Sequence, residues 1–241
     1  MKEVCFFTTY DERAKDMATG MINSVNKWYP DVPFEALEID KQDESGHFDV
    51  FNFCYAYLNY GLKLLDEYKR IIYIDPDSIM CNLCPDLFND YELGCVENNT
   101  GSDGTNVYIN AGLSVCTNKE VWQERLDEYE KRMNQTRDTL NEQNGLNWTF
   151  HNTKHNTKLL EFNDRTYGIS GLAHYQGIEL RDKEGNVCLD SAPDDAELYL
   201  PSNKKLCVFH AAGTYWKTGT KINLDYITNE LAREKMRSFL C

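Results

Sequence analysis

Two aspartates separated by a single residue directly follow a strongly apolar segment of the chain. Residues 70–74 have the composition of a buried strand, and Asp75 and Asp77 come straight after them. Two carboxylates that leave the same strand end repel each other unless a cation lies between them. The spacing therefore predicts a divalent ion that carries a phosphate. The alternative is a polar turn formed by Pro76 and Ser78.

A histidine near the end of the chain adds a third metal-binding group. His210 closes the last apolar strand-like run, at residues 206–209. Two carboxylates and one imidazole form a ligand set suited to Mn²⁺, with Mg²⁺ as the alternative ion. The residues that follow, up to Gly213, are small and leave room for a diphosphate to approach the backbone. A single histidine at a strand end is more often structural, and this alternative stays open.

The first third of the chain alternates strand-like and helix-like segments. Apolar runs predict strands at 4–8, 34–39 and 70–74, and helical spacing of apolar residues predicts one helix after Asp11 and another over 51–68. Asp11 is the expected N-cap of the first helix. This order predicts an α/β fold with a Rossmann-like, mostly parallel central sheet flanked by helices. Ligands of such sheets bind beyond the carboxyl ends of the strands.

The remainder of the chain is less regular. It predicts the following further elements: strands at 93–97, 107–116 and 206–209, a charged helix over 118–140 with a solvated face, a short element at 141–150 and an amphipathic helix over 222–240. No repeat, linker or low-complexity segment divides the sequence. We therefore expect a single domain over 1–241, with a nucleotide- and metal-binding half at 1–117 and an acceptor-side half at 118–241.

Composition and charge exclude several classes of protein. The 241 residues are 41% apolar and 12% aromatic, which is typical of a globular chain, and the net charge is −14. Such an acidic surface disfavours nucleic acid and anionic membranes as partners. No apolar run reaches the roughly 20 residues of a membrane span, and the first residues lack a signal-peptide pattern. We expect a cytoplasmic protein without a transmembrane segment.

The nine cysteines are scattered along the chain, which favours reduced thiols. Cys81 and Cys84 form a C-x-x-C motif, but no second ligand pair at zinc-site spacing accompanies it. A zinc site is therefore a disfavoured alternative.

Six segments resemble, in order, the motifs of one enzyme family: residues 6–15, 70–79, 85–88, 108–113, 141–147 and 208–213. They match its first strand and nucleotide loop, its metal-binding D-x-D strand, the DLF turn, the FNSGV strand, the DQ-x-x-LN segment and the HF-x-G loop. On these residues the chain resembles the glycosyltransferases of the A-type fold. The family it resembles most is glycosyltransferase family 8, which includes glycogenin and bacterial galactosyltransferases.

The resemblance implies roles for individual residues. The implied metal ligands are Asp75, Asp77 and His210. The implied nucleotide and diphosphate contacts are Thr8, Thr9, Tyr10, Asp75, Gly213 and Lys217. The implied catalytic residues around the donor sugar are Asn110, Glu142 and Gln143.

Three positions depart from the family pattern. Glu142 stands where the family has aspartate, and Trp216-Lys217 stands where it has Lys-Pro-Trp. The arginine often found on the helix before the D-x-D strand has no match, although Lys63 is near. Glu142 is the candidate nucleophile of a retaining reaction, and the alternative is an acid that stabilises the N-terminus of its helix.

The resemblance implies a metal-dependent hexosyltransferase. Its donor would be a nucleotide diphosphate sugar, expected to be a UDP-sugar, and its acceptor a glycan, glycolipid or protein, with retention at the anomeric carbon. One alternative is a non-catalytic module that binds a nucleotide sugar. Another, less favoured because a strand, helix, strand and helix precede Asp75, is a phosphatase with a D-x-D nucleophile.

Overall fold

The first elements of the fold are three strands joined by two helices. The computed structural model describes residues 1–39, 50–100, 107–136, 138, 140–160, 177–201, 203–211, 224 and 227–241. The first elements are β1 (Lys2–Tyr10), α1 (Lys15–Trp28), β2 (Phe34–Glu38), α2 (Val50–Glu67) and β3 (Tyr68–Ile74). Both β2 and β3 pair with β1 in parallel, as the strand–helix alternation predicted.

The later elements complete the sheet and add a smaller layer beside it. They are β4 (Ser78–Met80), β5 (Leu93–Thr100), β6 (Val107–Cys116), α3 (Lys119–Gln135), α4 (Asn141–Asn152), β7 (Thr157–Leu159), β8 (Glu179–Arg181), β9 (Glu197–Tyr199), β10 (Val208–His210) and α5 (Glu230–Arg237). The six-stranded sheet has the order β2-β1-β3-β6-β5-β7, and β4–β10 and β8–β9 form separate antiparallel pairs. Within the large sheet only β6 runs antiparallel to its two neighbours.

Helices cover both faces of the sheet because neighbouring strand residues point to opposite sides. Phe7 packs on one face with Tyr57 of α2 and Trp122 of α3. Phe6 packs on the other face with Met21 of α1. A third apolar cluster joins β8, β9, β10 and α5. The expected α/β sheet flanked by helices is therefore confirmed.

The start of α1 follows the sequence expectation only in part, because Asp11 acts as a cap one short turn earlier and the N-cap of α1 itself is Ala14, which forms no side-chain cap bond. The Asp11 carboxylate accepts a hydrogen bond from the Ala14 amide at 3.1 Å and caps a short 3₁₀ turn, Glu12–Ala14, that leads into α1. The cap matters for the site because it turns the chain away from the carboxyl end of β1.

The helix predicted over 118–140 is wrong in two respects. α3 ends at Gln135, before the predicted end at 140, whereas α4 begins at Asn141, where a separate short element was predicted. The face expected to be solvated buries Arg125 and Glu128. The physical reason is the approach of α4, where Gly145 has no side chain and lies close enough that a Cβ there would be 3.4 Å from the Tyr129 amide.

Two further boundaries differ from the sequence expectation. The C-terminal helix, predicted to start at residue 222, begins at Glu230 and follows the described residues 227–229. It begins there because the Asn229 side chain caps it by accepting a hydrogen bond from the Ala232 amide. The last strand is Val208–His210 and not 206–209, so His210 belongs to the strand itself.

No helix within the described ranges has the length and apolarity needed to cross a membrane. The single domain over 1–241 and its two halves stay predictions.

Candidate functional site

Three side chains converge at the carboxyl end of β3. The Nε2 atom of His210 lies 3.3 Å from Oδ2 of Asp75 and 3.0 Å from Oδ1 of Asp77. The ligand atoms of all three residues lie within 4.8 Å of one another. The structure thus brings together the carboxylates and the imidazole that the sequence singled out, across more than 130 residues of chain.

Backbone pairing positions this cluster. Asp75 and Ser78 close a tight turn, since the Ser78 amide donates to the Asp75 carbonyl at 3.1 Å. β4 then pairs with β10 so that Ser78 lies opposite His210. The Ala211 amide donates to the Asp77 carbonyl at 3.0 Å and extends this pairing past the histidine. Because the two strands are buried and short, the imidazole has one place to lie, against the two carboxylates.

The cluster attracts positive charge. Burial alone would lower the pKa of His210, but the charges and hydrogen bonds of Asp77 and Asp75 raise it to about 10. Burial alone would raise the pKa of Asp75, yet the hydrogen bond and charge of His210, the Tyr73 hydroxyl and the charge of Arg125 hold it below its ordinary value. The two carboxylates therefore stabilise a positive charge next to them, here that of the protonated imidazole.

The residues present fit a divalent metal ion. In an octahedral site with metal–ligand bonds of about 2.1 Å, neighbouring ligand atoms lie about 3 Å apart. The separations of 3.0 and 3.3 Å between the imidazole nitrogen and the two carboxylate oxygens match such neighbouring positions. Two oxygens and one imidazole nitrogen suit Mn²⁺, as expected from the sequence.

A bulge in β6 lies against the cluster of Asp75, Asp77 and His210. The pairing of β5 with β6 passes from Cys95 opposite Ser114 directly to Val96 opposite Asn110, so residues 111–113 lie outside the regular register. Within the bulge, the Gly112 carbonyl accepts from the Asp75 amide at 2.8 Å, and the Gly112 amide donates to Asn110 Oδ1 at 2.7 Å. Asn110 is thereby held next to the metal-site aspartate.

The first turns of α4 lie against the same bulge. Gln143 Oε1 accepts from the Ala111 amide at 3.2 Å. Asn147 forms two hydrogen bonds with the backbone of Ile109, at 2.6 and 2.9 Å, and so attaches α4 to β6. Asn110 and Gln143, the predicted sugar contacts, therefore lie on adjoining backbone segments.

Glu142 lies in a buried network with partners that the sequence did not indicate. Its Oε1 atom accepts from the Tyr57 hydroxyl at 2.5 Å and forms an ion pair with Arg125, which also bonds to the Tyr57 hydroxyl. Arg125 donates in addition to Ser114 Oγ at 3.1 Å. Glu142 also stands in the first turn of α4, so both of its expected roles stay predictions. Arg125 lies on α3 and is buried within this network.

The predicted uridine-contacting residues are the last three of β1. The Thr8 hydroxyl donates to the Ile74 carbonyl at 2.7 Å and ties β1 to the end of β3. Thr9 Oγ1 is buried and has no hydrogen-bond partner among the described residues. Tyr10 is half-buried, and its carbonyl accepts from the Ile39 amide. Gly213 and Lys217 lie outside the described residues.

Three residues that sequence reasoning missed complete the site. Tyr73 donates to Asp75 Oδ1 at 2.7 Å, and its position two residues before Asp75 on the same strand was a usable signal. Tyr57 lies within the helix predicted over 51–68, where nothing sets it apart from the other aromatic residues. Arg125 carried no signal, since charged residues surround it in the sequence.

Gly112→Ala should weaken metal binding strongly. A Cβ at this position would lie 2.3 Å from Cε1 of His210 and 2.7 Å from Oδ2 of Asp75, so two metal-binding side chains must move. We expect a loss of stability of about 1–3 kcal/mol from overpacking, and a Mn²⁺ affinity that falls out of proportion to it. Calorimetric titration with Mn²⁺ measures the effect. Gly145→Ala, where the nearest atom is 3.4 Å away, is the control and should bind Mn²⁺ as the wild type does.

Comparison with known proteins identifies solved structures with a similar fold. No protein-family model and no curated protein matches the chain. Several solved structures, by contrast, match the chain. A complex of the galactosyltransferase LgtC with donor and acceptor sugar analogues is 13% identical, has a TM-score of 0.54, and the match covers 98% of this chain and 94% of LgtC. An active-site mutant of LgtC is 15% identical, has a TM-score of 0.56 and covers 97% and 94%.

The chain therefore has the fold of the A-type glycosyltransferases, as its motifs predicted. The bifunctional glycosyltransferase WbbM in its apo form is 15% identical, with a TM-score of 0.48. The chain spans 39% of the length of WbbM, and the match covers 66% of the chain itself.

Proposed function

We propose that this protein is a metal-dependent glycosyltransferase that transfers a hexose-type sugar from a UDP-sugar to an acceptor, with retention. The observation that carries the proposal is the cluster of Asp75, Asp77 and His210 at the carboxyl end of a central strand in an A-type fold. Ligands of open α/β sheets bind at that edge. A fold alone does not define a reaction, so the argument rests on the site.

The three ligands would hold a divalent ion against the donor diphosphate. When bound, such an ion acts as a Lewis acid that stabilises the charge developing on the leaving group. Asp75 and Asp77 supply two negative charges, which offset the charge of the ion. His210, buried next to both carboxylates, would be the third protein ligand.

The groups around the bulge would orient the sugar. Gln143 Oε1 is bonded to the backbone of Ala111, which leaves its amide NH₂ group to donate to a sugar hydroxyl. Glu142 uses only Oε1 for its hydrogen bonds within the described part of the chain, so Oε2 is the oxygen that would face a positively charged anomeric centre. Asn110, held by Gly112, would contact the donor on the side of the metal.

Retention is the outcome we propose because Glu142 and Gln143 would occupy the face of the sugar opposite the diphosphate. Two chemical routes give it: attack by Glu142, or attack of the acceptor from the leaving-group side. NMR of the product establishes the anomeric configuration. An inverted product would contradict the proposed arrangement.

The nucleotide preference should be for uridine. Tyr10 supplies an aromatic ring for stacking on a base, and the hydroxyl of Thr9, which no other described residue binds, suits a pyrimidine edge. In calorimetric titrations with Mn²⁺ present, we expect UDP to bind at least about tenfold more tightly than GDP or ADP, a difference of roughly 1.4 kcal/mol. A preference for GDP would refute the assignment.

Turnover separates an enzyme from a binding module. A panel of UDP-hexoses, assayed for hydrolysis or transfer to glycan, glycolipid and peptide acceptors, should yield at least one substrate. Tight, metal-dependent binding of every donor without turnover would favour the non-catalytic alternative. LgtC was solved with donor and acceptor sugar analogues, which makes galactose donors the first to assay.

A further inference from the structure

Two stacked tyrosines connect the metal-site carboxylate with the carboxylate of Glu142. The rings of Tyr57 and Tyr73 have centroids 4.6 Å apart and planes inclined by 26°. Tyr73 donates its hydroxyl hydrogen to Asp75 Oδ1 at 2.7 Å, and Tyr57 donates to Glu142 Oε1 at 2.5 Å. Each ring therefore directs one hydroxyl at one carboxylate.

The hydrogen bond from Tyr73 leaves the two oxygens of Asp75 with different partners. Oδ1 accepts from Tyr73, whereas Oδ2 lies 3.3 Å from His210. A carboxylate held at one oxygen cannot rotate about its Cβ–Cγ bond without losing that bond, so Oδ2 keeps facing the cation position. Hydrogen bonds of this kind orient metal ligands in many proteins.

The Tyr73 phenol is itself held in place by burial and by the neighbouring ring. Tyr73 is 3% exposed, and so is Tyr57. From this buried position the hydroxyl of Tyr73 reaches Asp75 Oδ1. An offset stack at this distance is a favourable aromatic arrangement.

Arg125 holds Tyr57, one of the two stacked rings, in place. Its guanidinium bonds to the Tyr57 hydroxyl and to Glu142, and its central carbon lies 5.2 Å from the Tyr57 ring centroid. The side chain is 1% exposed, too buried to contact a substrate. A buried ion pair often stabilises a fold no better than apolar residues do. We therefore explain the burial of the Arg125–Glu142 pair by the position it gives Tyr57 and not by a gain in the stability of the fold.

We propose that Tyr73 is a positioning residue of the metal centre and that Tyr57, fixed by Arg125 and Glu142, keeps the Tyr73 ring in place. The inference rests on the proposed function in one respect, that Asp75 is a metal ligand. It goes beyond the ligand set by assigning the orientation of Asp75 to a buried unit built from α2, β3, α3 and α4.

The test is Mn²⁺ affinity without nucleotide, measured from the EPR signal of free Mn²⁺ for wild type, Tyr73→Phe, Tyr57→Phe and Tyr57→Leu. Tyr73→Phe keeps the ring and removes the hydroxyl that holds Asp75, so we expect affinity to fall by about 10–100-fold, as for other outer partners of metal ligands. Tyr57→Phe keeps the stacked ring, which Arg125 still contacts, but loses the hydroxyl that Arg125 and Glu142 bind, so it should retain clearly more Mn²⁺ affinity than Tyr57→Leu. Tyr57→Leu lacks the ring, and its Mn²⁺ affinity should fall to near that of Tyr73→Phe.

The matched Tyr57 variants separate positioning from a general effect on folding. Thermal unfolding of all four proteins shows whether affinity merely follows stability. Wild-type affinity in Tyr73→Phe would overturn the inference, and so would equal losses in the two Tyr57 variants. A wild type that binds Mn²⁺ but turns over no donor contradicts the proposed function and leaves the inference intact. A wild type that binds no Mn²⁺ overturns both.

Discussion

Asp77→Ala should abolish metal-dependent turnover of the donor. Asp77 is 7% exposed, and its carboxylate lies 3.0 Å from the His210 imidazole. Water that entered the space left by the side chain could not replace this negative charge. Its loss removes one of the two charges that hold the ion, and the leaving diphosphate loses its stabilisation. We expect kcat/KM to fall by at least the roughly 10²–10³-fold that removal of one electrostatic stabiliser costs. Assay of UDP-sugar turnover over a range of Mn²⁺ concentrations measures it.

The control for this variant is Asp190→Ala, because Asp190 is exposed. It should keep wild-type kinetics, which excludes a general effect of net charge. Wild-type activity of Asp77→Ala, or undiminished wild-type turnover in excess EDTA, would show that the reaction does not use this cluster. Mn²⁺ titration of Asp77→Ala without nucleotide distinguishes loss of the ion from loss of the donor.

Arg125→Met should be the most destabilising single change in the site. It leaves the buried carboxylate of Glu142 without its cation, and breaking a buried ion pair in this way costs about 3–5 kcal/mol. In a domain of this size each kcal/mol lowers Tm by about 2–4 °C, so we expect a Tm lower by roughly 10 °C or more. Differential scanning calorimetry measures the shift.

Two further variants check the cause. Arg125→Met combined with Glu142→Gln removes both charges and should recover most of the stability, since no unpaired buried charge remains. Lys119→Met breaks an ion pair with Asp66 whose side chains are 49% and 63% exposed, and it should cost about 1 kcal/mol or less. Equal losses in Lys119→Met and Arg125→Met would mean that burial of the pair is not what matters.

The sequence by itself indicated the parts of the site that are local. The apolar run before Asp75 predicts a buried strand, and an aspartate pair at its end is in the right place whatever the rest of the chain does. The α/β class and the parallel pairing of β1 with β2 and β3 followed from the order of elements, whereas the A-type fold was implied by the resemblance of six segments to the motifs of a known family. Asp11 as a cap was equally readable, because capping depends on residues within one turn.

Only the tertiary structure decided which distant groups share the site. The sequence had already proposed His210 as a partner of Asp75, but how the two meet is decided by the pairing of β10 with β4, segments more than 120 residues apart. The bulge at residues 111–113 depends on a register between β5 and β6, and register is set by packing. Arg125 is charged, and its neighbours are charged, so the sequence predicted a solvated face. It is buried because α4 and α2 cover α3 and supply Glu142 and Tyr57 as partners, and a charge can leave water only where such partners are already in place.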